Sequence, residues 1–202
     1  MFLKSPPELI LASTSSYRRT LLSRVYGTFQ CVAPLVEEQR HEHESGLALV
    51  TRLALAKARA VAEQYPEAWV IGADQAAVLM DAVQQQVILG KPGNQARCIE
   101  QLRQCSGATV AFLTGVAVLR ARDTTVFEFV DTTRVTFREL DDDTIERYVQ
   151  RESPIDCAGG FKSEALGIAL CASIDSDDPT ALIGLPLIRL CEVLRQVGFE
   201  IP

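Results

Sequence analysis

Histidine is scarce in this chain: there are two in 202 residues, and both, His41 and His43, lie in a charged stretch. A Ser-His or Cys-His nucleophilic mechanism therefore lacks its usual base. The six cysteines, Cys31, Cys98, Cys105, Cys157, Cys171 and Cys191, include no CxxC pair, which argues against zinc ribbons and thioredoxin-like chemistry. Neither GxxxxGK[ST] nor GxGxxG occurs, so P-loop and Rossmann nucleotide sites have no support. No apolar run approaches the roughly 20 residues of a membrane span. The run Leu9–Ala12 is also too short for the core of a signal peptide. Basic residues number 20 against 26 acidic, a formal net charge of −6. A broad basic face for a nucleic-acid polymer or an anionic membrane is thus missing. These absences together lead us to expect a cytoplasmic chain with reduced thiols.

What is present is globular: 48% of residues are hydrophobic and 23% charged. No repeat, low-complexity tract or linker marks a boundary, so residues 1–202 are expected to form a single domain. Leu9–Ala12 has the look of a buried strand, followed by a serine-capped helix over Tyr17–Val25. A second strand is expected over Phe29–Val36, with a polar loop at 39–46. The alanine-rich segment Leu47–Tyr65 predicts a helix stopped by Pro66. Trp69–Val78 predicts a strand and Val87–Leu89 its hairpin partner, across a polar turn from Asp81 to Gln86. Asn94 is placed to cap a helix through Gln104, which Ser106-Gly107 would break. Thr109–Arg120 and Thr125–Phe137 are long and β-branched, as an antiparallel pair would be. Helices are expected over Asp141–Gln150, with acids at its N-terminus, and over Pro186–Gln196. Strands and helices mix without strict alternation, which predicts an α/β fold with a mixed sheet.

Several residues carry chemical potential, and each also has an ordinary reading. Ser13-Thr14-Ser15-Ser16-Tyr17-Arg18-Arg19 at a strand-to-helix junction offers free N–H groups, hydroxyls and two guanidinium forks to a phosphate; the same string can be a plain cap with exposed arginines. Asp74 lies in an apolar run, where a carboxylate is costly unless it is paired or binds a cation; it can equally be a strand-end residue facing water. Glu37-Glu38 can supply an oxygen ligand to Mg²⁺ or simply start a solvated loop. Lys57, Lys91 and Lys162 with Glu164 can face a cleft or lie on the surface. Separated carboxylates plus separated cations suit metal-assisted attack of water on a phosphate chain.

Taken in order, these pieces resemble the Maf family of nucleoside triphosphate pyrophosphatases over nearly the whole chain. The resemblance rests on Leu9–Arg19, Glu37-Glu38, Lys57, Gly72-Ala73-Asp74-Gln75, Gly90-Lys91-Pro92, Ser106-Gly107 and Thr114-Gly115. It continues through Cys157–Gly167 and Leu182-Ile183-Gly184-Leu185-Pro186. It implies an elongated, inosine triphosphatase-like fold with two lobes around a cleft, and a possible homodimer. The Asp74-Gln75 pair and the string Phe161-Lys162-Ser163-Glu164 are closest to the branch that hydrolyses 7-methyl-GTP. By that resemblance Asp74 is the catalytic base, and Glu38 with Asp74 holds Mg²⁺ or Mn²⁺. Ser15, Arg18, Arg19, Lys57 and Lys91 then bind the triphosphate, and Tyr17, Gln75 and Glu164 set substrate choice.

The chain departs from the family pattern at Ser16, where Pro is usual, at Tyr17, where this branch usually has Trp, and at Glu37, where Asp is usual. Tyr17 offers less stacking area than Trp and a hydroxyl that needs a partner. Rival readings are a pyrophosphatase for dTTP, UTP or other modified nucleotides, a nucleotidase of the inosine triphosphate-cleaving type, and a nucleotide-binding regulator of septum formation.

Overall fold

A computed structural model describes residues 7–80 and 85–202. Most of the polar turn expected from Asp81 to Gln86 lies outside the described residues. In chain order the elements are β1 (Leu9–Ala12), α1 (Ser16–Ser23), β2 (Gln30–Val32), α2 (Gly46–Ala62), β3 (Trp69–Met80) and β4 (Gln86–Leu89). They continue with α3 (Gln95–Cys105), β5 (Thr109–Arg120), β6 (Thr125–Phe137), α4 (Asp142–Glu152), β7 (Cys171–Asp175) and α5 (Leu187–Gln196). Four helices start where a short polar side chain precedes them. Ser15, Ser45, Asn94 and Asp141 each accept the backbone N–H three residues on, which satisfies a donor that the first turn would otherwise orphan.

The strands form one mixed α/β sheet in the order β2-β1-β3-β5-β6-β7. β1 runs parallel to β2 and β3, and the remaining pairs are antiparallel. The free edge of β3 is shared. Its first part, Trp69–Gly72, pairs with β1, and its last part, Ala77–Met80, pairs with β4. Ala73–Ala76 lies between the two pairings and has a strand neighbour only on the β5 side. β1 runs toward this gap from one end and β4 from the other. The loops that leave them, Ser13–Ser15 and Gly90-Lys91, therefore emerge at the same place.

On one face of the sheet α2 packs Ala54, Ala58 and Val61 against Ile10, Val70 and Ala117. The opposite face carries two separate cores. Around α1 and α5, Leu21, Leu22 and Leu190 bury Ile71 and Val118. Around α3 and α4, Leu102, Ile145 and Val149 bury Phe112 and Val135. Between them runs a cross-strand polar row, Gln75 opposite Thr114 and Thr114 opposite Asp131. These are the two expected lobes, built on the two ends of one set of long strands.

Two expectations are corrected, and one strand is new. The strand expected over Phe29–Val36 is only Gln30–Val32, because Pro34 has no N–H to continue the ladder. The helix expected to reach Tyr65 ends at Ala62. Strand β7 was not foreseen, since most of its residues are exposed and it presents no apolar run.

Two glycines let α2 lie close to the sheet. A Cβ on Gly72 would stand 2.2 Å from the Ala54 carbonyl oxygen and 2.6 Å from the Ala58 nitrogen, and one on Gly115 would stand 2.6 Å from the Val50 carbonyl oxygen. These obstacles are backbone, so they cannot rotate away. Gly72→Ala is expected to destabilise the protein by about 1–3 kcal/mol, read as a lower midpoint in urea unfolding.

Candidate active site

The gap in the edge of β3 opens into a cleft of about 580 Å³. Its walls bring together residues far apart in sequence: Ser13 to Arg18, Glu38, Lys57, Asp74 and Gln75, Lys91, Asp156 and Cys157, Phe161, Glu164 and Leu182 to Gly184. Strand alternation sends Asp74 to the α2 face and Gln75 to the opposite face.

Asp74 is only 8% exposed and Lys57 only 5%. The Lys57 ammonium donates to Asp74 Oδ1 at 2.7 Å and lies 2.7 Å from Glu38 Oε1. One buried cation thus bridges two carboxylates that are distant in sequence. The close approach of α2 over Gly72 makes this reach possible. The surface reading of Lys57 is therefore overturned, as is the solvent-facing reading of Asp74. Burial works to raise the Glu38 pKa, but the hydrogen bond from Lys57 and the charges of Lys57, Lys91 and Arg18 carry it below the usual carboxylate value.

At the β1–α1 junction, Ser13 Oγ accepts from Ser15 N at 3.1 Å and Ser15 Oγ from Arg18 N at 3.4 Å. Arg18 Nε donates to the Gly184 carbonyl at 3.0 Å. Loss of solvent lowers the Arg18 pKa, against the fields of Asp74 and Glu38, which raise it. Arg19 stands apart from Arg18. It is exposed, its Nε points to Cys31 Sγ at 3.4 Å, and it does not line the cleft. Neighbouring residues on a helix diverge by about 100°, so Arg18 and Arg19 leave α1 in different directions. Lys91 stands exposed on the rim.

Tyr17 forms another wall, with Lys162 behind it and outside the cleft lining. The Lys162 ammonium lies 6.0 Å from the Tyr17 ring centroid, donates to the Glu152 carbonyl at 3.4 Å and lies 3.6 Å from Glu152 Oε1. Burial raises the Tyr17 pKa, a shift that the nearby Lys162 ammonium opposes. Phe161 is wedged against Phe112 and Phe137, with ring centroids 5.7 and 5.2 Å away, giving this end a rigid base. Gln75 acts as a brace. Its Nε2 lies 3.0 Å from Thr114 Oγ1, the Ala181 carbonyl and the Leu182 carbonyl. Sequence reasoning left Asp156, Cys157 and the Thr114 hydroxyl without a role here; only their position beside the gap reveals them.

The loop carrying Glu38 is also tied down. Arg52 grips the Glu44 carboxylate at 2.6 and 2.8 Å and donates to the Gln39 carbonyl at 3.1 Å. The segment expected to be a solvated loop is thus anchored to α2.

Residues 8–197 match the model of the family described as Maf-like protein. A protein of Alkalilimnicola ehrlichii named 7-methyl-GTP pyrophosphatase is 52% identical over 195 residues, 96% of this chain and 96% of the relative. Proteins of the same name from Aromatoleum aromaticum and Pseudomonas aeruginosa are 51% and 47% identical, over 96% and 97% of this chain and 98% and 100% of theirs. Among solved structures, the Staphylococcus aureus Ham1 protein matches with a TM-score of 0.46 and 16% identity, covering 64% of this chain and 71% of that one.

Two outcomes follow from the ion pairs. Lys57→Met leaves Asp74 buried without its cation and should cost about 3–5 kcal/mol. Adding Asp74→Asn should restore part of that loss in chemical denaturation. The bond from Arg52 holds the Glu44 pKa down to about 2, from 4.5. Its stabilisation is present above the ordinary carboxylate pKa and is lost as pH falls toward the folded value. Glu44→Gln should therefore flatten the drop in melting temperature between about pH 4.5 and pH 2.

Proposed function

The chain belongs to the Maf-like family, and from that premise we propose that it is a nucleoside triphosphate pyrophosphatase that converts 7-methyl-GTP to 7-methyl-GMP and pyrophosphate. The observation that carries this reading is the convergence of Asp74, Lys57 and Glu38 beside Ser15 and Arg18 in one cleft. Relatives sharing about half their residues with this chain bear that activity in their names.

The reaction needs an activated water, a held triphosphate and compensation for charge on the leaving pyrophosphate. Asp74 acts as general base from the rigid middle of β3. Lys57 has three N–H donors; two go to Asp74 and Glu38, and the third is available to a phosphate oxygen. Arg18, fixed at Nε by Gly184, directs its Nη groups to the phosphates, and the Ser15 hydroxyl and Lys91 complete the grip.

The cleft is lined by three cations, Arg18, Lys57 and Lys91, and four carboxylates, Glu38, Asp74, Asp156 and Glu164. It therefore cannot neutralise a triphosphate alone, which supports dependence on a divalent cation. Glu38 and Asp74 already converge on one positive nitrogen, so the pair fits such an ion. No group of three ligating side chains occurs among the described residues, so phosphate oxygens would complete the shell, the arrangement Mg²⁺ prefers. Bound there, Mg²⁺ or Mn²⁺ would supply the charge that stabilises the pyrophosphate leaving group.

At the other end, N7 methylation puts positive charge on the guanine ring. An aromatic face at Tyr17 and the carboxylate of Glu164 suit a cationic base, while Gln75 shapes the wall by bracing Ala181 and Leu182. Six unpaired cysteines suit a reducing compartment such as the cytoplasm; no described helix is long and apolar enough to cross a membrane.

The test is a panel of triphosphates with Mg²⁺ or Mn²⁺ and pyrophosphate detection. 7-Methyl-GTP is expected to exceed GTP, dTTP and UTP in kcat/KM by at least about tenfold. Asp74→Asn should lower kcat by about 100-fold or more while the protein stays folded by circular dichroism. Preference for dTTP or UTP would overturn the substrate; near-normal turnover by Asp74→Asn would overturn the mechanism. Tyr17→Trp should lower KM for 7-methyl-GTP, since the larger ring stacks over more area.

A further inference from the structure

Asp178 is 3% exposed, and no cation lies within ion-pair distance of it among the described residues. Its charge is solvated by donors of the chain itself. Oδ1 accepts from Thr180 N at 2.8 Å and Thr180 Oγ1 at 2.6 Å, and Oδ2 accepts from Ile188 N at 2.7 Å. Helix α5 has no side-chain cap at Pro186, so Asp178 supplies one from ten residues back, at the positive end of the helix. The Thr180 hydroxyl sits at the centre of this knot. It accepts from Leu187 N at 2.9 Å and is 2.9 Å from the Leu185 carbonyl.

The turn between these anchors points its carbonyls at the cleft residues. Ala181 O receives Thr114 Oγ1 at 2.9 Å and Gln75 Nε2 at 3.0 Å, and Gly184 O receives Arg18 Nε at 3.0 Å. Gly184 holds φ at +123°, and a Cβ there would stand 3.5 Å from Arg18 Nε. A glycine is thus what presents this carbonyl to the guanidinium. Arg18 has several rotatable bonds, and this is the bond that fixes its plane while the Nη groups stay free of protein acceptors among the described residues.

We infer that Asp178 and Thr180 are positioning residues: together they hold the turn Ala181–Gly184 so that Gly184 O orients Arg18 for the phosphates. The inference rests on the reading of Arg18 as a phosphate ligand. It adds a route by which a buried acid that touches no substrate sets substrate affinity.

The experiment is steady-state kinetics with 7-methyl-GTP and Mg²⁺ on Thr180→Val, Thr180→Ser, Arg18→Met and the Thr180→Val/Arg18→Met pair, each with a melting curve. Arg18→Met should raise KM about tenfold or more. Thr180→Val should raise KM several-fold with kcat changed less than about twofold, while Thr180→Ser, which keeps the hydroxyl, stays near the parent. In the Arg18→Met background, Thr180→Val should raise KM no further, because the residue it acts through is gone. If Thr180→Val raises KM by the same factor with and without Arg18, or leaves KM unchanged while Arg18→Met is impaired, the positioning role is overturned and the phosphate-ligand reading stands. If Arg18→Met leaves KM unchanged, the phosphate-ligand reading falls and takes the positioning role with it. Should Thr180→Val fail to fold, Asp178→Asn enters the same cycle. It keeps one acceptor oxygen, so it cannot accept from Thr180 and from Ile188 N together, and the same two comparisons decide.

Discussion

The Lys57 ammonium held between Asp74 and Glu38 is the contact on which the site depends. Two carboxylates drawn toward one point repel each other, and one of them is nearly out of water. Without a cation between them that arrangement would cost several kcal/mol. Lys57 reaches the spot because α2 lies almost on the backbone of β3 and β5, and it lies there because Gly72 and Gly115 have no side chains. The bridge also determines what else the cleft can accept. With two donors of Lys57 engaged by carboxylates, the remaining N–H and the Nη groups of Arg18 are the positive groups held in fixed directions, and Lys91 on the rim is free to follow a ligand.

Where the cleft sits is a matter of strand pairing. β3 is long enough to take β1 along its first third and β4 along its last, leaving Ala73–Ala76 with an open edge. Parallel β1 and antiparallel β4 both run into that opening, so a serine-rich helix start and a lysine-bearing turn, some 75 residues apart in sequence, arrive together as ordinary consequences of strand direction. The same break separates the two apolar cores on the opposite face. Because strand neighbours alternate faces, Asp74 and Gln75 serve different tasks from adjacent positions: one faces the charged chemistry under α2, the other ties the sheet to the Ala181–Gly184 turn.

Local signals carried much of this into the sequence. A serine before α1 and Asn94 could be read as caps, because capping depends on a short polar side chain before a helix, whereas Asp141 read as the first residue of its helix and is in fact its cap. The long β5–β6 pair showed in its β-branched runs. The expense of a carboxylate in an apolar strand pointed to a partner for Asp74 or to a strand end facing water, and the sequence did not choose between them. The identity of that partner was not legible. A lysine in an alanine-rich helix looks the same whether it faces water or a carboxylate, and only the packing of Ala54 and Ala58 on Gly72 decides. Arg18 and Arg19 were equally indistinguishable in the string, and only the folded cleft shows Arg18 among its lining residues. Asp178, with no local pattern of its own, acquires meaning only when the turn after it is seen to touch three distant residues.

The acidic balance of the chain also takes on a different sense. An excess of carboxylates looks unfavourable for a phosphate ligand, and the cleft itself shares that excess, with three cations against four acids. The acids differ in their surroundings, however. Asp74 and Glu38 are tied to Lys57, so most of their field is spent on that ammonium. Asp156 and Glu164 are exposed and form no salt bridge among the described residues, so their field projects into the cleft and Asp156 reaches Tyr17. A neutral base gains little from those two carboxylates, and a triphosphate is repelled by them. In the function proposed above, a ligand with a positive ring at one end and anionic phosphates at the other would satisfy both ends of the cleft at once, and the two acids without salt bridges would then count as recognition instead of as a penalty.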